Sequence, residues 1–343
     1  MAMTFFINTI SVLMAALLGF VAHRASLCTV RTVAEILSSR RAFMALAMLK
    51  TVLWVMAVSM PILLLWPQSA VPIRSHAITL EAVVGGFVFG VGAALNNGCA
   101  FSTLGHLANG NLWMLTTIFG FCAGVAGLST IVPVIEHGQA LTPLLYTIPR
   151  PFVYAFLSGL WLFICWEVCR LWKTGAKGCD WRQLFLSRYY RLSTAALVLG
   201  FSGGVLYALH ETWTYTNALR QKIQSLWMPV EIPEFTSLLL FFALFGGMLL
   251  SAVQRGSWRL QWRPTQKWPR HIVGGTLMGA GAMLIPGGND TLVLKSLPGL
   301  SPHALPAMIA LCLGISITLP LLRLLTGKTF QIVCTNDICQ TEK

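Results

Sequence analysis

The sequence predicts an all-α polytopic membrane protein. It has about nine transmembrane helices, in two inverted-topology repeats with short re-entrant half-helices. Three observations predict this. Of 343 residues, 56% are hydrophobic and only 10% are charged, where a soluble domain carries about 25% charged residues. The apolar residues fall into nine runs near the length needed to cross hydrocarbon about 30 Å thick. Three ten-residue stretches also share one layout: GFVAHRASLC (19–28), GVGAALNNGC (90–99) and GAGAMLIPGG (279–288). Each starts at a glycine in an apolar run, and the last two agree as G-x-G-A-x-L-x-x-G. Hydrophobic segments interrupted at corresponding points of two halves point to a binding pathway.

Taken in order, the first run (5–23) lacks a basic leader and a cleavage site, so it reads as a span rather than a removable signal. It ends in the break at Cys28. The second run is 43–66. The third, 80–95, is short and enters the break Asn96-Asn97-Gly98-Cys99. The fourth is 112–135. Run 152–172 is an odd linker helix, which would turn the second half upside down relative to the first. Runs 193–209, 235–254, 271–286 and 303–325 follow, with breaks near Trp213, flanked by His210 and Glu211, and at Pro286-Gly287-Gly288. Half-helices are expected after the breaks, at 29–38, 102–108, 214–223 and 290–297. The organisation is then a first repeat (1–135), a linker helix with a basic loop (136–191), a second repeat (192–325) and a tail (326–343).

The basic residues support this parse. Only Arg74, Arg150, Arg220, Lys222 and Lys295 fall on the N-terminal side, and Lys50 lies inside the second run. All the others among the 24 Lys and Arg fall on the opposite side. Positive residues accumulate in cytoplasmic loops, so the N-terminus is expected outside an inner membrane and the C-terminus in the cytoplasm. The same placement explains the net charge of +13 without a nucleic-acid partner. Nine cysteines include no C-x-x-C pair, which points away from a disulfide framework or a zinc site. No G-x-x-x-x-G-K-[ST] motif indicates nucleotide hydrolysis. No cofactor is expected, and the partners are the lipid bilayer and a small solute.

The breaks carry the chemistry. Asn97, Gly98 and Cys99 stand with Ser102 and Thr103 and offer neutral donors. Half-helix N-termini add free N–H groups, which favour an anion. A thiol is soft and polarizable, so Cys28 and Cys99 suit a solute that itself carries sulfur. Arg24 and Arg31 flank Cys28 and are candidates for anion attraction, or for anchoring the span end. Gly287 and Gly288 permit close backbone approach. Asn289 or Asp290 caps the half-helix that follows, and capping is the preferred role of Asp290. Competing readings stay open for the glycines: Gly85, Gly86 and Gly90 also suit a helix-packing face. Cys122, Cys165, Cys169 and Cys312 read as packing residues. Glu81 and Glu167 are expected near the membrane interface. Cys334 and Cys339 read as incidental thiols of the tail, or as contacts for a sulfur-carrying partner.

At Arg24-Ala-Ser-Leu-Cys28, Gly90 to Cys99 with Leu104 to Leu112, and Gly279 to Thr291, the chain resembles the YeeE/YedE family of sulfur-transport membrane proteins. The resemblance runs from Gly19 to about Arg323. It implies an hourglass-shaped bundle with short helices meeting at a constriction. It also implies uptake of thiosulfate, held transiently by hydrogen bonds from pathway cysteines, with no enzymatic step. Cys28 and Cys99 map onto two of those cysteines, and the third position is Gly288 here. A cytoplasmic sulfur-carrier protein is a further expected partner. Another sulfur or selenium species is an alternative solute, and a membrane thiol oxidoreductase or sulfurtransferase is the alternative activity.

Overall fold

Within the described residues every apolar run of the sequence is helical, because a backbone in hydrocarbon must satisfy its own hydrogen bonds. The computed structural model describes residues 2–65, 75–131, 140–141, 147–175, 187–210, 213–226, 235–262, 268–327, 331–335 and 337–342. Arg74, Lys177, Arg182, Glu211, Arg263, Lys267, Lys328 and Lys343 of the sequence reading lie outside the described residues.

The first half holds α1 (Ala2–Ala25), α2 (Thr29–Ser39), α3 (Phe43–Leu65), α4 (Leu80–Leu95), α5 (Ala100–Ala108) and α6 (Leu115–Ile131). Next comes α7 (Arg150–Gly175). The second half holds α8 (Leu192–Leu209), α9 (Tyr215–Gln224), α10 (Phe235–Gln254), α11 (Trp268–Leu284), α12 (Asn289–Thr291) and α13 (Ala304–Thr326). A π-helical turn, Leu292–Ser296, continues α12. Two small antiparallel pairs complete the described elements: β1 (Ser75–His76) with β2 (Ala140–Leu141), and β3 (Gln331–Thr335) with β4 (Ile338–Glu342).

Among the described residues, eight helices are long and apolar enough to cross a membrane, so the chain is a multi-pass membrane protein. The short eighth run of the sequence, 271–286, is α11, with 17 residues. The helices pack in reciprocal pairs. α1 lies against α10 and α3 against α8, while α4 lies against α13 and α6 against α11. α1 also meets α8, and α4 meets α11.

Glycine sets these crossings. A Cβ on Gly19 would strike the Leu244 carbonyl, one on Gly90 the Leu311 carbonyl, and one on Gly279 the Phe121 carbonyl. The glycine that opens each of the three similar stretches is thus a helix crossing point, and the break follows nine residues later. Gly86 likewise abuts Ala307, and Gly85 abuts Leu284. The small residues let backbones approach closely, the main source of helix affinity where lipid removes the hydrophobic drive.

α7 is different. Phe152, Phe156, Leu162, Trp166 and Trp172 are exposed, as on a lipid-facing helix, and only a narrow stripe through Val153, Leu157, Leu160 and Ile164 is buried. One expectation fails here. Cys165 and Cys169 are exposed rather than packed, because they sit on the outer face of this peripheral helix. Glu167 is buried, 1% exposed, because Lys50 Nζ of α3 reaches its carboxylate at 2.6 Å and Arg170 Nη2 at 2.7 Å.

Candidate functional site

The site is built where helices stop. α1 ends as Ser26 takes a left-handed backbone, φ 52°, and Cys28 restarts the chain as the extended N-cap of α2. α4 ends at Asn96, Asn97 turns left-handed at φ 58°, and Cys99 becomes the N-cap of α5. The two restarts are alike. The Cys28 carbonyl accepts from Thr32 N and Oγ1, and the Cys99 carbonyl accepts from Thr103 N and Oγ1. A recurring C-x-x-x-T is therefore the local signature of these two restarts. That signal lay in the sequence and was not read.

The four short helices are tied together at their N-termini. The backbone N–H of Cys99 donates to Cys28 Sγ at 3.2 Å, and both residues are fully buried. Asn289 joins them from the second half. Its Oδ1 accepts from Ala100 N, the first residue of α5, and its Nδ2 donates to Thr29 Oγ1, the first residue of α2. Asp290 reaches α9, accepting from the Thr216 backbone N–H at 3.1 Å and from its hydroxyl. It thus holds the start of α9 and does not cap its own short helix. Two α-helical N-termini, those of α2 and α5, thus converge on two thiols and one amide. Aligned peptide dipoles and free N–H groups at such ends favour negative charge.

Gly287 has φ +136°, a conformation that side chains rarely adopt, and so it lets the chain turn between α11 and α12. Gly288 is the extended N-cap of α12. A Cβ there would lie 2.7 Å from Thr216 Oγ1, and the Gly288 N–H donates to that same hydroxyl at 2.9 Å. The direction a side chain would take is occupied by Thr216. Thr214 and Thr291 bond to each other beside it at 2.8 Å. This hydroxyl cluster was not anticipated, since break three has no glycine pair or cysteine to announce it.

Cavities border these residues. On the side of the C-terminal hairpin, a cavity of about 190 Å³ is lined by His23, Arg31, Ser102, His106, Arg255 and Cys339, among others. A chamber of about 40 Å³ touches Cys28, Thr29, Asn289 and Phe101. On the far side a gap of about 10 Å³ is lined by Thr291, Lys295, Ser301 and His76. Phe101 borders both of the first two cavities. A cation stands at each end, Arg31 at one and Lys295 at the other.

The structure separates the remaining expected residues. Asn97 is exposed and accepts from Arg270 Nη2 at 3.0 Å, because its left-handed turn directs it away from the buried break. Its neighbour Asn96 is the buried one, bonded to Gly98 O, Thr103, Thr117 and His271. Gly98 is buried, and a side chain there would meet Ser102. Arg24 is buried and spent on structure. It donates to Ser251, Ser187 O and Gln254, with Phe20 and Tyr190 rings beside its guanidinium. Burial lifts the Tyr190 phenol above its ordinary range, and the Arg24 charge offsets part of that. Arg31 alone of the two arginines faces a cavity.

Cys334 and Cys339 are disulfide-bonded, which corrects the expectation of incidental thiols. They are directly opposed partners of the β3–β4 pair, an arrangement that spacing alone did not announce.

No curated protein matches the chain. A family model described as sulphur transport matches residues 24–317, which takes in both cysteine breaks and the Gly287-Gly288 break. The role that goes with this match is sulfur-related transport rather than catalysis. The chain belongs to the sulphur-transport family, YeeE/YedE.

Proposed function

We propose that the protein is a permease for a small sulfur-containing anion, with thiosulfate the leading substrate. The observation that carries this reading is the contact of Cys99 N with Cys28 Sγ. It puts two thiols and two half-helix N-termini at one buried point between the cavities. An anion crossing this point loses water, and moving a polar group out of water without replacement bonds costs several kcal/mol. Thiol S–H groups, the Asn289 amide and the N-terminal N–H groups of α2 and α5 are the replacements. A soft terminal sulfur suits the thiols, and sulfonate oxygens suit the amides and hydroxyls. Arg31 and Lys295 would draw the anion into either mouth.

The reciprocal pairing supports the inverted repeat. If α1, α3, α4 and α6 correspond to α8, α10, α11 and α13, then the α1–α10 contact maps onto α8–α3. Likewise α4–α13 maps onto α11–α6. Nine crossings follow, with α2, α5, α9 and α12 re-entrant. The N-terminus is then outside a bacterial inner membrane and the C-terminal hairpin inside, facing any sulfur-carrier protein. At the outer station, where the family resemblance implies a third cysteine, Thr216 holds the place of a side chain on Gly288.

The test is uptake of radiolabelled thiosulfate and sulfate by proteoliposomes, with Cys28→Ala and Cys99→Ala as variants. A hydrogen bond to a charged group is worth about 1.5–3 kcal/mol. Each variant is therefore expected to lose at least about tenfold in uptake. Undiminished uptake by Cys99→Ala would remove the thiol pathway. Equal uptake of sulfate and thiosulfate by the wild type would remove the preference for soft sulfur.

A further inference from the structure

We propose that Cys334–Cys339 is a thiol–disulfide exchange site on the wall of the tail-side cavity, served by a dithiol reductant. In its reduced form it gives that cavity a donor thiol at Cys339. The proposal rests on the permease reading for its effect on substrate, but not for the exchange itself.

Four observations lead to it. The pair is bonded across directly opposed strand positions, and Cys339 also lines the cavity of about 190 Å³. Both cysteines are buried, and Cys339 is the one that borders this cavity, through which the proposed path runs. The same wall carries Arg31, Arg255, His23 and His106, a set that gathers anions.

The hairpin is also seated rather than loose. β3 packs on α2, and Arg41 Nη1 donates to Cys334 O. Asp337, in the turn between the strands, accepts from Leu192 N and Ser193 N at the start of α8. These contacts hold the two cysteines near each other without the covalent bond, so the thiols can re-form it. A bond closing a loop only five residues apart in sequence restrains little chain, and entropic stabilisation grows with loop length. Stability is a poor reason for this bond.

Glu35 supplies the last observation. Its carboxylate caps α3 through Phe43 N and Met44 N, and it lies within 4.8 Å of both sulfurs. A fixed negative charge disfavours a second one beside it. The reduced pair would thus be held as S–H, a donor, whereas a disulfide has no S–H to offer. On the cytoplasmic side proposed above, protein disulfides are mostly transient ones, which fits a bond made to be broken.

The exchange balances as follows. One thiolate of the reductant attacks Cys339 Sγ, the S–S bond breaks, and Cys334 leaves as thiolate and takes a proton. The second thiol of the reductant then attacks the mixed disulfide, closes its own ring, and releases Cys339 as thiol. Two electrons and two protons pass to the pair, and the reductant becomes a disulfide.

The experiment uses the full-length protein in proteoliposomes equilibrated with reduced and oxidised dithiothreitol, then trapped by alkylation and read by peptide mass. The pair is expected to open and close reversibly without denaturant. Opening should lower the half-saturating thiosulfate concentration by about tenfold, the effect of one hydrogen bond to a charged group. Cys334→Ser, which leaves Cys339 free, should show the reduced-state value in every redox buffer. A pair that stays bonded under excess dithiothreitol overturns the exchange site. Complete opening with an unchanged half-saturation overturns the donor role. If no sulfur anion enters in either state, the permease reading fails, while reversible alkylation still supports the exchange site.

Discussion

Gly288 shows how much one missing side chain leaves to its neighbours. The position aligns with Cys28 and Cys99 in the sequence, yet the space beyond its Cα is filled by Thr216. Thr216 is itself fixed by Asp290 and by the Gly288 N–H. Gly288→Cys should therefore not restore a thiol cheaply. Overpacking a tight site costs about 1–3 kcal/mol. Thr216→Ala removes the obstructing hydroxyl and also takes a partner from buried Asp290, a loss of about 1–3 kcal/mol. The double variant should be destabilised by less than the sum, with a coupling of at least about 1 kcal/mol, as for residues that compete for space. Thermal unfolding of the wild type, both single variants and the double variant in detergent measures this. Additive losses would mean that the two side chains do not share the space. At this scale the sequence was uneven. Cys99 and Asn289 were legible because they follow helix-breaking glycine or proline residues, whereas Cys28 stood out only by its offset from Gly19, since the helix before it ends at Ser26 without either. Asn97 was not legible, because a pair of adjacent asparagines does not say which one turns inward. The threonine cluster was hidden because its members come from two breaks and meet only in space.

Glycines divide into those at crossings and those in open surroundings, and this division decides what a substitution does to a helix. Gly90 of α4 faces the Leu311 carbonyl of α13, whereas Gly246 of α10 has nothing near its would-be Cβ. Gly90→Ala forces one backbone off another, and no side-chain rotation relieves that clash. The expected loss is about 3 kcal/mol, at the upper end for overpacking. Gly246→Ala gains helix propensity, about 0.5–1 kcal/mol. Melting temperatures in detergent should move in opposite directions, and a shared direction would remove the crossing argument. The bounds of the four short helices were legible to within a few residues. The sequence placed them at 29–38, 102–108, 214–223 and 290–297, against Thr29–Ser39, Ala100–Ala108, Tyr215–Gln224 and Asn289–Thr291 with its π turn. Proline, glycine and capping residues mark starts and stops locally, so no knowledge of partners was needed. The hairpin Gln331–Glu342 was illegible for the opposite reason. Its strands are fixed by contacts with α2 and α8, which are far away in sequence.

At the scale of the whole molecule, α7 lies beside helices that pack in reciprocal pairs, and its attachment to them is a charge. α7 buries a thin stripe, and its firmest polar link is Glu167, which takes Lys50 of α3 and its own Arg170. Lys50 also donates to Ser193 of α8 at 3.1 Å, so a single ammonium gathers three helices. This pairing was not legible in the sequence. Lys50 looked like an isolated charge within a span, and Glu167 like an interfacial one, because the pair is 117 residues apart. Ionisable groups inside a membrane are expensive and usually paired, and the pairing here joins the linker helix to both halves. Glu167→Ala should leave Lys50 without its counter-charge, at a cost of about 2 kcal/mol. That is below the 3–5 kcal/mol of a fully buried pair, since Lys50 is partly exposed. Replacing both groups by apolar residues of similar volume, Lys50→Met with Glu167→Leu, removes the stranded charge and should recover most of that loss. Thermal unfolding of the wild type and the two variants decides it. If the double variant is no more stable than Glu167→Ala, then α7 is held by the geometry of the ion pair rather than by relief of a buried charge. Uptake by the double variant adds a second reading. No cavity along the proposed path is lined by Lys50 or Glu167, so transport should survive once stability does. Lost uptake in a stable double variant would instead make this charge pair part of the transport cycle.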